Sequence, residues 1–329
     1  MTDFIPPMLA KAIKLDELGK KRWDDYIIEP KHDGMRAIAI HDLQNNVRFY
    51  GRSGIEYTAH VPHLVNLLKQ CTPPGTVIDG ELAIISSTIH WDYNIPVVNF
   101  NKTMRIMGGL APRAIQMQQD SQFLSFIVWD AIWYAGTNLV SASWIIRRSY
   151  IEKMGLGMNR TPHLVINPYW HADNYFEGIE GAFNDLVSLN VEGIILKNKL
   201  SLYLPNGRRA NTWYKLKLEK TFDVVVMGAT KGQGKYKDMI GALEFGAYDT
   251  NGELVYVGKC SGMTDEERQM WTKYLFDNEN STVAEVIEVK SNDLVGSGKF
   301  RTPRHPQYVR LRNDKKPFDC KLDQFLVED

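Results

Sequence analysis

The sequence KHDGMR, which spans Lys31 to Arg36, decides the fold, because it separates two apolar, strand-like stretches within residues 26–40. Strand alternation would place Lys31 and Asp33 on one face. Gly34 allows a tight turn and the close approach of a ligand, and Arg36 adds a permanent cation suited to phosphate or ribose oxygens. The motif therefore predicts two strands joined by a turn that presents a lysine to a ligand. Taken alone, it is also compatible with an exposed hairpin turn.

Lys31 is the candidate nucleophile. An amine attacks only in its neutral form, and the reference pKa of lysine, near 10.4, leaves little free amine at neutral pH. Burial and neighbouring cations lower a lysine pKa. Lys215 and Lys217 alternate along WYKLK (residues 213–217), so the pair is able to supply such cations and to grip a phosphate. We therefore expect the pKa of Lys31 to be lowered.

Two further segments place carboxylates in predicted strands. VIDGEL, residues 77–82, puts Asp79 and Glu81 on one strand face, where they are able to hold ribose hydroxyls or Mg²⁺. EGIILK, residues 192–197, begins another strand with Glu192. Each segment alone is typical of a surface strand with charged ends. The indication of a nucleotide site lies in their joint order along the chain.

Composition is typical of a soluble globular protein with room for one large domain or two ordinary ones. The chain has 329 residues, of which 44% are hydrophobic and 24% charged, enough for a sizeable core. Its three cysteines lie far apart and form no C-x-x-C pair, so neither a zinc site nor a disulfide framework is indicated. The first ten residues lack a signal pattern, and no apolar run reaches membrane-spanning length. We expect a cytoplasmic protein without membrane association.

The balance of charge argues against a generic, highly basic nucleic-acid binder. Lys plus Arg and Asp plus Glu each number 39, for a net charge of +0. A local basic groove remains compatible with this balance, and so does an ordinary solvated face. The candidate groove is the C-terminal stretch formed by Lys299, Arg301, Arg304, Tyr308, Arg310, Arg312, Lys315 and Lys316.

The pattern of predicted elements changes near Lys220. Before that point we predict helices over residues 61–70, 143–154 and 174–189, and strands over 77–85, 126–134, 192–197 and 212–218. Residues 86–122 are mixed and polar, and they form an excursion without assigned structure. After Lys220 we predict strands over 223–227, 243–248, 254–260 and 283–289. We also predict a helix over 264–276 with Thr264 as its N-cap. Short strands with one helix favour a small β-barrel.

These motifs, in this order, resemble the covalent nucleotidyltransferase superfamily, and most closely the short phage-type ATP-dependent DNA ligases. The resemblance covers nearly the whole chain. It implies an α+β fold, with a nucleotidyltransferase (ATP-grasp-like ligase) adenylation domain at residues 1–220 and a small β-barrel OB-fold domain at 221–329. KHDGMR matches the family's K-x-D-G-x-R motif, so the resemblance implies that Lys31 is the residue that carries AMP.

The remaining site residues are carried over from the same resemblance. It implies that Glu192 binds the divalent metal and that Glu81, the acidic residue of the third motif, is a second ligand. Glu29 lies two residues before the nucleophile, where ligases read the adenine amino group, and Trp129 stands where the family stacks a Phe or Tyr on adenine. The other residues implied to bind the nucleotide are Arg36, Arg52, Glu81, Lys197, Lys215, Lys217, Arg312 and Lys315.

What the resemblance implies is nick sealing in duplex DNA with ATP and Mg²⁺ as cofactors. AMP would pass from Lys31 to the 5′-phosphate of a nick, and the 3′-hydroxyl would then displace it. We expect a monomer. Three alternatives stay open at this point: an mRNA-capping guanylyltransferase, an RNA ligase, and a non-catalytic nucleic-acid-binding module. The partial match of residues 305–308 to the family's Pro-Arg-aromatic stretch leaves the role of that segment open.

Overall fold

The computed structural model describes residues 4–90, 94–154, 163–173, 175, 177–207, 209–276, 285–291, 293–296 and 300–326. The chain divides into two compact units, Met1–Lys217 and Leu218–Asp329.

The first unit contains two main sheets, a hairpin and several helices. Its strands are β1 (Leu9–Ala12), β2 (Tyr26–Lys31), β3 (Met35–His41), β4 (Val47–Gly51), β5 (Thr76–Ala83), β6 (Ile85–His90), β7 (Asn94–Val98), β8 (Ser125–Tyr134), β9 (Thr137–Asn138), β10 (Leu164–Ile166), β11 (Trp170–His171), β12 (Gly193–Asn198) and β13 (Arg209–Lys217). Its helices are α1 (Pro62–Cys71), α2 (Phe100–Met107), α3 (Ala111–Asp120), α4 (Trp144–Lys153) and α5 (Gly178–Ser188). Short 3-10 helices occupy Leu15–Lys20 and Thr58–His60.

The two main sheets of this unit pack against each other. One has the order β1-β13-β12-β2-β11, and the other has the order β10-β8-β5-β3-β4 with β9 beside β8. An apolar cluster joins them, since it includes Ile27 and Trp213 from the first sheet and Ile38, Val77 and Ile132 from the second. The opposite face of the second sheet is covered by apolar side chains of α1 to α4. Strand β2 of the first sheet and β3 and β5 of the second carry the motif residues.

The second unit is a separate α/β unit. Its elements are β14 (Lys220–Lys231), β15 (Ile240–Tyr248), β16 (Leu254–Cys260), α6 (Asp265–Phe276), β17 (Val286–Ser291), β18 (Leu294–Val295), β19 (Thr302–Pro303) and β20 (Gln307–Leu311), with 3-10 helices at Gly234–Tyr236, Pro317–Asp319 and Leu322–Phe325. Thr264 caps α6, because its hydroxyl accepts from the Glu267 N–H while the Glu267 carboxylate accepts from the Thr264 N–H.

The main sheet of the second unit is not a closed barrel in the described residues. Its order is β16-β15-β14-β17-β20, so β16 and β20 are its edge strands. The two edges approach each other where a single parallel bridge pairs Ser261 with Gln307. There the Tyr308 N–H donates to the Ser261 carbonyl at 2.8 Å. The sequence predicts a small β-barrel of the OB-fold type here; in the described residues the sheet does not close through a strand ladder, and a single bridge joins its two edges.

Most predicted elements occur near their expected positions. The helix predicted over 61–70 is α1, which begins at Pro62, a residue favoured at the first helical position. The predicted helix at 174–189 is α5 from Gly178 onward, and residues 174 and 176 lie outside the described residues. The strand predicted over 283–289 corresponds to β17, which begins at Val286, and residues 283 and 284 lie outside the described residues. The excursion at 86–122 contains regular structure after all, since β6 and β7 pair and α2 and α3 follow.

None of the helices in the part of the chain that the structure describes is long and apolar enough to cross a membrane.

Candidate active site

Lys31 lies at the end of β2, beside a carboxylate contributed by the neighbouring strand. Gly193 of β12 pairs with Lys31 on one side and with Lys217 of β13 on the other. Glu192 precedes Gly193, so its carboxylate lies between the two lysines. Its Oε2 forms an ion pair with the Lys31 ammonium, and its Oε1 forms one with Lys217. The register of the sheet thus brings together three residues implied by the resemblance.

Gly193 is required at this position by the backbone. Its φ is +153°, and a Cβ there would lie 2.2 Å from the carbonyl oxygen of Leu216. No side chain fits at that separation, so the close approach of β12 to β13 depends on glycine.

The pKa of Lys31 is raised, which makes the expected lowering wrong. Burial does lower the pKa of Lys31, but the charges of Glu192, Glu81 and Asp33 together outweigh burial and raise it. The expected lowering followed from the cations of this site, whereas its three carboxylates have the larger effect. The pKa values of Lys215 and Lys217 are lowered, chiefly by burial and then by neighbouring lysines.

Asp33 lies in the turn between β2 and β3. The expectation that Asp33 continues the strand alternation of Lys31 is therefore wrong, because β2 ends at Lys31. The turn brings Gly34 against β5, where the Gly34 N–H donates to Glu81 Oε1 at 3.1 Å. A Cβ on Gly34 would lie 2.5 Å from the Leu82 carbonyl oxygen, so this close approach also requires glycine.

Glu81 is buried among other charges. Burial raises its pKa to about 8, Lys31 and Arg36 oppose that rise, and Glu192 and Asp33 add to it. The negative charge of Glu192 therefore repels that of Glu81 and contributes to the raised pKa of Glu81. A divalent cation shared by the two carboxylates would relieve that repulsion, so these oxygen donors fit Mg²⁺. No group of three or more His, Cys, Asp or Glu with metal-binding geometry occurs among the described residues.

Arg36 is held by Asp79 in a two-pronged ion pair. Arg36 Nε donates to Asp79 Oδ1 at 2.9 Å, and Nη2 donates to Oδ2 at 2.6 Å. Asp79 is fully buried and also accepts from the Tyr203 hydroxyl at 2.8 Å. Since both of its oxygens are engaged in this way, Asp79 positions Arg36. Glu81 is the carboxylate of β5 whose charge acts on Lys31.

Glu29 is a buried carboxylate, and one of its two oxygens has no described hydrogen-bond partner. Its Oε2 lies 2.7 Å from Lys197 Nζ, and both side chains are almost fully buried. Its Oε1 has no hydrogen-bond partner among the described residues. Burial raises the pKa of Glu29 and lowers the pKa of Lys197, while their mutual attraction opposes both shifts. Lys197 therefore contacts the group expected to read the base.

Trp129 lies beside two of the implied nucleotide-binding cations. The register of β5 and β8 shifts between Gly80–Val128 and Asp79–Asp130, so Trp129 sits in a β-bulge. Its ring centroid lies 5.4 Å from Arg36 Cζ and 5.8 Å from Lys197 Nζ. The indole is only partly buried, which distinguishes it from an ordinary core tryptophan.

Asn167 was missed by the sequence analysis, although it bonds to both sides of the lysine motif. It follows β10, is almost fully buried, and contacts His32 and Glu29. Its position is 135 residues from His32, and no motif contains it. Only the folded chain brings Asn167 to this site.

Arg52, Arg312 and Lys315 have no described contact with this group of side chains. Arg52 is exposed in the turn after β4. Arg312 Nη1 lies 2.7 Å from Asp223 Oδ1, and Lys315 pairs with the other oxygen of Asp223. Both contacts lie within the second unit.

The C-terminal basic stretch is partly neutralised by acids. Arg310 Nε donates to Glu288 at 2.7 Å, and Arg312 also binds Asp314 through two hydrogen bonds of 2.8 Å. Tyr308 is buried, and Lys299 lies outside the described residues. The stretch is therefore not a continuous row of unpaired cations.

Comparison with known proteins agrees with this arrangement. Residues 7–217 match the family model described as the ATP dependent DNA ligase domain. The chain is 28% identical over 329 residues to a DNA ligase of Methanococcus aeolicus, covering 94% of this chain and 55% of that protein. It is 26% identical over 344 residues to a DNA ligase of Thermococcus fumicolans, covering 98% of this chain and 58% of that protein. The chain thus spans little more than half of these relatives.

Solved structures define the fold class. A Lig E DNA ligase has a TM-score of 0.66 at 17% identity, with 95% of this chain and 100% of that chain covered. The ligase domain of Mycobacterium tuberculosis LigD has a TM-score of 0.51 at 23% identity, with 99% and 98% covered. The fold is therefore that of the nucleotidyltransferase-type ligases. Since the family model covers well over half of its length, the chain belongs to the ATP-dependent DNA ligase family.

Proposed function

We propose that this protein seals nicks in duplex DNA with ATP, through AMP bound covalently to Lys31 and then to the 5′-phosphate of the nick. The observation that carries the proposal is the Glu192 carboxylate between Lys31 and Lys217, inside a unit that matches the ligase family model. A non-catalytic binding module has no need to hold a partly buried lysine near three carboxylates, since removing charge from water is costly.

In the proposed first step, Lys31 Nζ attacks the α-phosphorus of ATP. A nitrogen–phosphorus bond forms, the bond between the α-phosphorus and the bridging oxygen breaks, and pyrophosphate leaves. Before the attack, Lys31 gives up one ammonium proton to solvent water, and the Glu192 carboxylate in contact with the ammonium opposes that loss. Lys215 and Lys217 supply positive charge where the phosphates would bind, so that they stabilise charge that grows on the phosphate oxygens.

Glu81 and Glu192 are the proposed holders of Mg²⁺. When bound, the cation supplies charge neutralisation for the phosphates and removes the excess negative charge that raises the pKa of Lys31. The chain's own contribution is to keep the two carboxylates buried and close to the lysine. Burial of Glu81 and the charge of Glu192 both raise the pKa of Glu81.

The proposed base site consists of Trp129 and Glu29. A partly buried indole offers a face on which a purine is able to stack, and Glu29 Oε1 is an acceptor without a described partner. An acceptor at this point suits the 6-amino group of adenine. Guanine carries an oxygen there, so the same carboxylate disfavours a guanylyltransferase.

The second and third steps transfer AMP and close the strand. A 5′-phosphate oxygen attacks the AMP phosphorus and frees Lys31. The 3′-hydroxyl then attacks the 5′-phosphate, and AMP leaves. The solved structure of a Lig E DNA ligase is described as DNA binding with a minimal scaffold. We extend a DNA substrate to this chain, which we expect to act as a monomer, and we assign residues 1–220 to adenylation.

We further propose that residues 221–329 form an OB-fold. An OB-fold is a five-stranded, partly open Greek-key barrel. The order β16-β15-β14-β17-β20, the helix α6 between β16 and β17, and the parallel bridge between Ser261 and Gln307 all support this assignment.

The test is intact mass after incubation with ATP and Mg²⁺. Wild type should gain the mass of AMP and release one pyrophosphate, and Lys31→Ala and Lys31→Arg should gain none, because an arginine side chain does not deprotonate at accessible pH. Lys69→Arg, on the far end of α1, is the control and should label like wild type. AMP on the Lys31→Ala protein would overturn the mechanism. Labelling by GTP alone, or sealing of RNA in preference to nicked DNA, would favour the alternatives.

A further inference from the structure

Asn167 joins the two sheets of the first unit beside the proposed base site. Its backbone N–H donates to the Val128 carbonyl at 2.8 Å, next to Trp129. Its side chain reaches the other sheet, where Nδ2 donates to the Pro30 carbonyl at 3.2 Å and to Glu29 Oε2 at 3.3 Å. One buried residue therefore contacts the strand of Trp129 through its backbone and the strand of Lys31 through its side-chain amide.

The hydrogen bonds of Asn167 determine which ring nitrogen of His32 carries a hydrogen. Because both contacts of Nδ2 use its N–H groups, Asn167 Oδ1 is the acceptor of the third contact, at 2.7 Å from His32 Nε2. His32 Nε2 must then carry a hydrogen. Burial lowers the pKa of His32 to about 4, so His32 is neutral at physiological pH. The residue next to Lys31 therefore adds no positive charge.

The same side-chain amide determines which carboxylate oxygen of Glu29 remains without a described hydrogen bond. Glu29 Oε2 receives both the Asn167 N–H and the Lys197 ammonium. Glu29 Oε1 is buried and has no described partner. Loss of the Asn167 N–H would leave the ion pair with Lys197 as the remaining described restraint on this carboxylate, and would also remove a donor that favours its charged form.

We propose that Asn167 is a positioning residue for base selection, which holds Glu29 so that its Oε1 accepts from the 6-amino group of adenine. This inference rests on the proposed use of ATP. An acceptor held in a fixed position favours a purine with a 6-amino donor and disfavours one with a 6-carbonyl oxygen, because a buried group left unpaired is costly. Asn167 needs no contact with the nucleotide to exert this effect.

The experiment compares three triphosphates in single-turnover labelling of Lys31: ATP, purine riboside triphosphate, which lacks the 6-amino group, and GTP. Wild type should prefer ATP to the purine analogue by roughly tenfold to a hundredfold in kcat/KM, as expected for a hydrogen bond to a charged group. Asn167→Asp keeps the acceptor for His32 and removes both N–H donors. It should reduce the preference to about threefold or less, mainly through the loss with ATP.

Gln118→Glu is the matched control. Gln118 is also almost fully buried, and its amide likewise donates twice and accepts once, through the His60 and Ala114 carbonyls and the Leu124 N–H. This variant should lower labelling by all three nucleotides equally, if at all. Asn167→Ser serves as the second variant should Asn167→Asp fail to fold, and it should also lose base preference.

The pH profile separates positioning from general damage. In Asn167→Asp, preference for ATP should fall further as pH is lowered, because an added acid and a lost donor favour protonated Glu29. An ATP preference equal to wild type in both Asn167 variants would refute the inference while leaving the ligase proposal intact. No labelling of wild type by any of the nucleotides would refute both.

Discussion

Glu192 forms an ion pair with Lys31, although 161 residues separate them in the sequence. The contact depends on the register of two strands, in which Gly193 lies opposite Lys31. It explains why the lysine expected to have a lowered pKa has a raised one. The carboxylate that the resemblance assigns to the metal is also the group that holds the proton on the proposed nucleophile.

Glu192→Gln should lower the pKa of Lys31 and weaken the response to Mg²⁺. The amide keeps the size of the side chain but removes the largest charge that raises the pKa of Lys31. Competitive acetylation of Lys31 across pH, read by peptide mass spectrometry, measures that pKa without ATP. The Mg²⁺ concentration for half-maximal adenylation should rise by about tenfold or more.

Glu180→Gln supplies the comparison for this prediction, since Glu180 is an exposed residue of α5. It should leave both measurements unchanged. An unchanged Lys31 pKa in Glu192→Gln would show that the ion pair does not control the lysine. Full adenylation of Glu192→Gln at low Mg²⁺ would remove the metal role.

Glu81 should make the protein less stable as pH rises from 6 to 9. Its pKa is raised from the usual value to about 8 by burial, so the folded state binds more protons than the unfolded state between these values. Stability therefore falls as pH rises through that window. The free energy of unfolding by urea should fall relative to Glu81→Gln by on the order of 1–3 kcal/mol.

Mg²⁺ should reduce that loss in wild type and not in Glu81→Gln, because the cation compensates the charge that forms on Glu81. Glu56→Gln changes an exposed glutamate of the first unit and should leave the pH dependence as in wild type. Parallel stability curves for wild type and Glu81→Gln would contradict the raised pKa.

The sequence allowed the strand positions of the site to be predicted, because they depend on local alternation and on motif order. Lys31, Glu192 and Lys217 were each implied by a motif, and the sheet brings them together. Asn167 was not predictable in this way. Its role comes from three contacts with residues distant in sequence, and a single asparagine has no pattern that indicates such contacts.

The errors have physical causes of the same kind. The pKa of Lys31 depends on the balance between burial and carboxylates at short range, and composition does not give distances. The number of short strands predicts a barrel-like unit but does not say whether its sheet closes, because closure depends on whether β16 and β20 align over several residues. They meet at one bridge. The excursion at 86–122 escaped assignment because α2 spans only Phe100–Met107 and exposes much of its polar surface.

Binding to nicked duplex should weaken steeply with salt in spite of a net charge of +0. Cations that contact phosphates release counterions, so affinity depends on local charge and not on the total. Fluorescence anisotropy between 50 and 200 mM salt should show a loss of at least about tenfold, with a linear plot of log K against log salt. Thermal unfolding at each salt concentration checks that the protein stays folded. A flat plot would argue against a DNA substrate.

Arg312→Ala and Lys315→Ala should separate the first step of ligation from the last. The resemblance assigns both residues to the step in which pyrophosphate leaves, when negative charge grows on the departing group and placed cations stabilise it. Asp223 binds both side chains, through a different oxygen for each, so the two cations are held at a fixed spacing. Adenylation of Lys31 should fall by about a hundredfold or more, while sealing of a nick that already carries 5′-AMP should be largely spared.

Arg310→Ala is the matched control for this split, because Arg310 lies on β20 just before Arg312 and its described ion pair is with Glu288 and not with Asp223. It should adenylate like wild type. Ion pairs near the surface contribute at most about 1 kcal/mol each, so unfolding temperatures should change little, and a folding defect would reveal itself as an equal loss in both assays. Such an equal loss would assign Arg312 and Lys315 to DNA binding or stability. Normal adenylation in both variants would show that neither residue acts in the ATP step, because adenylation is the step in which pyrophosphate leaves.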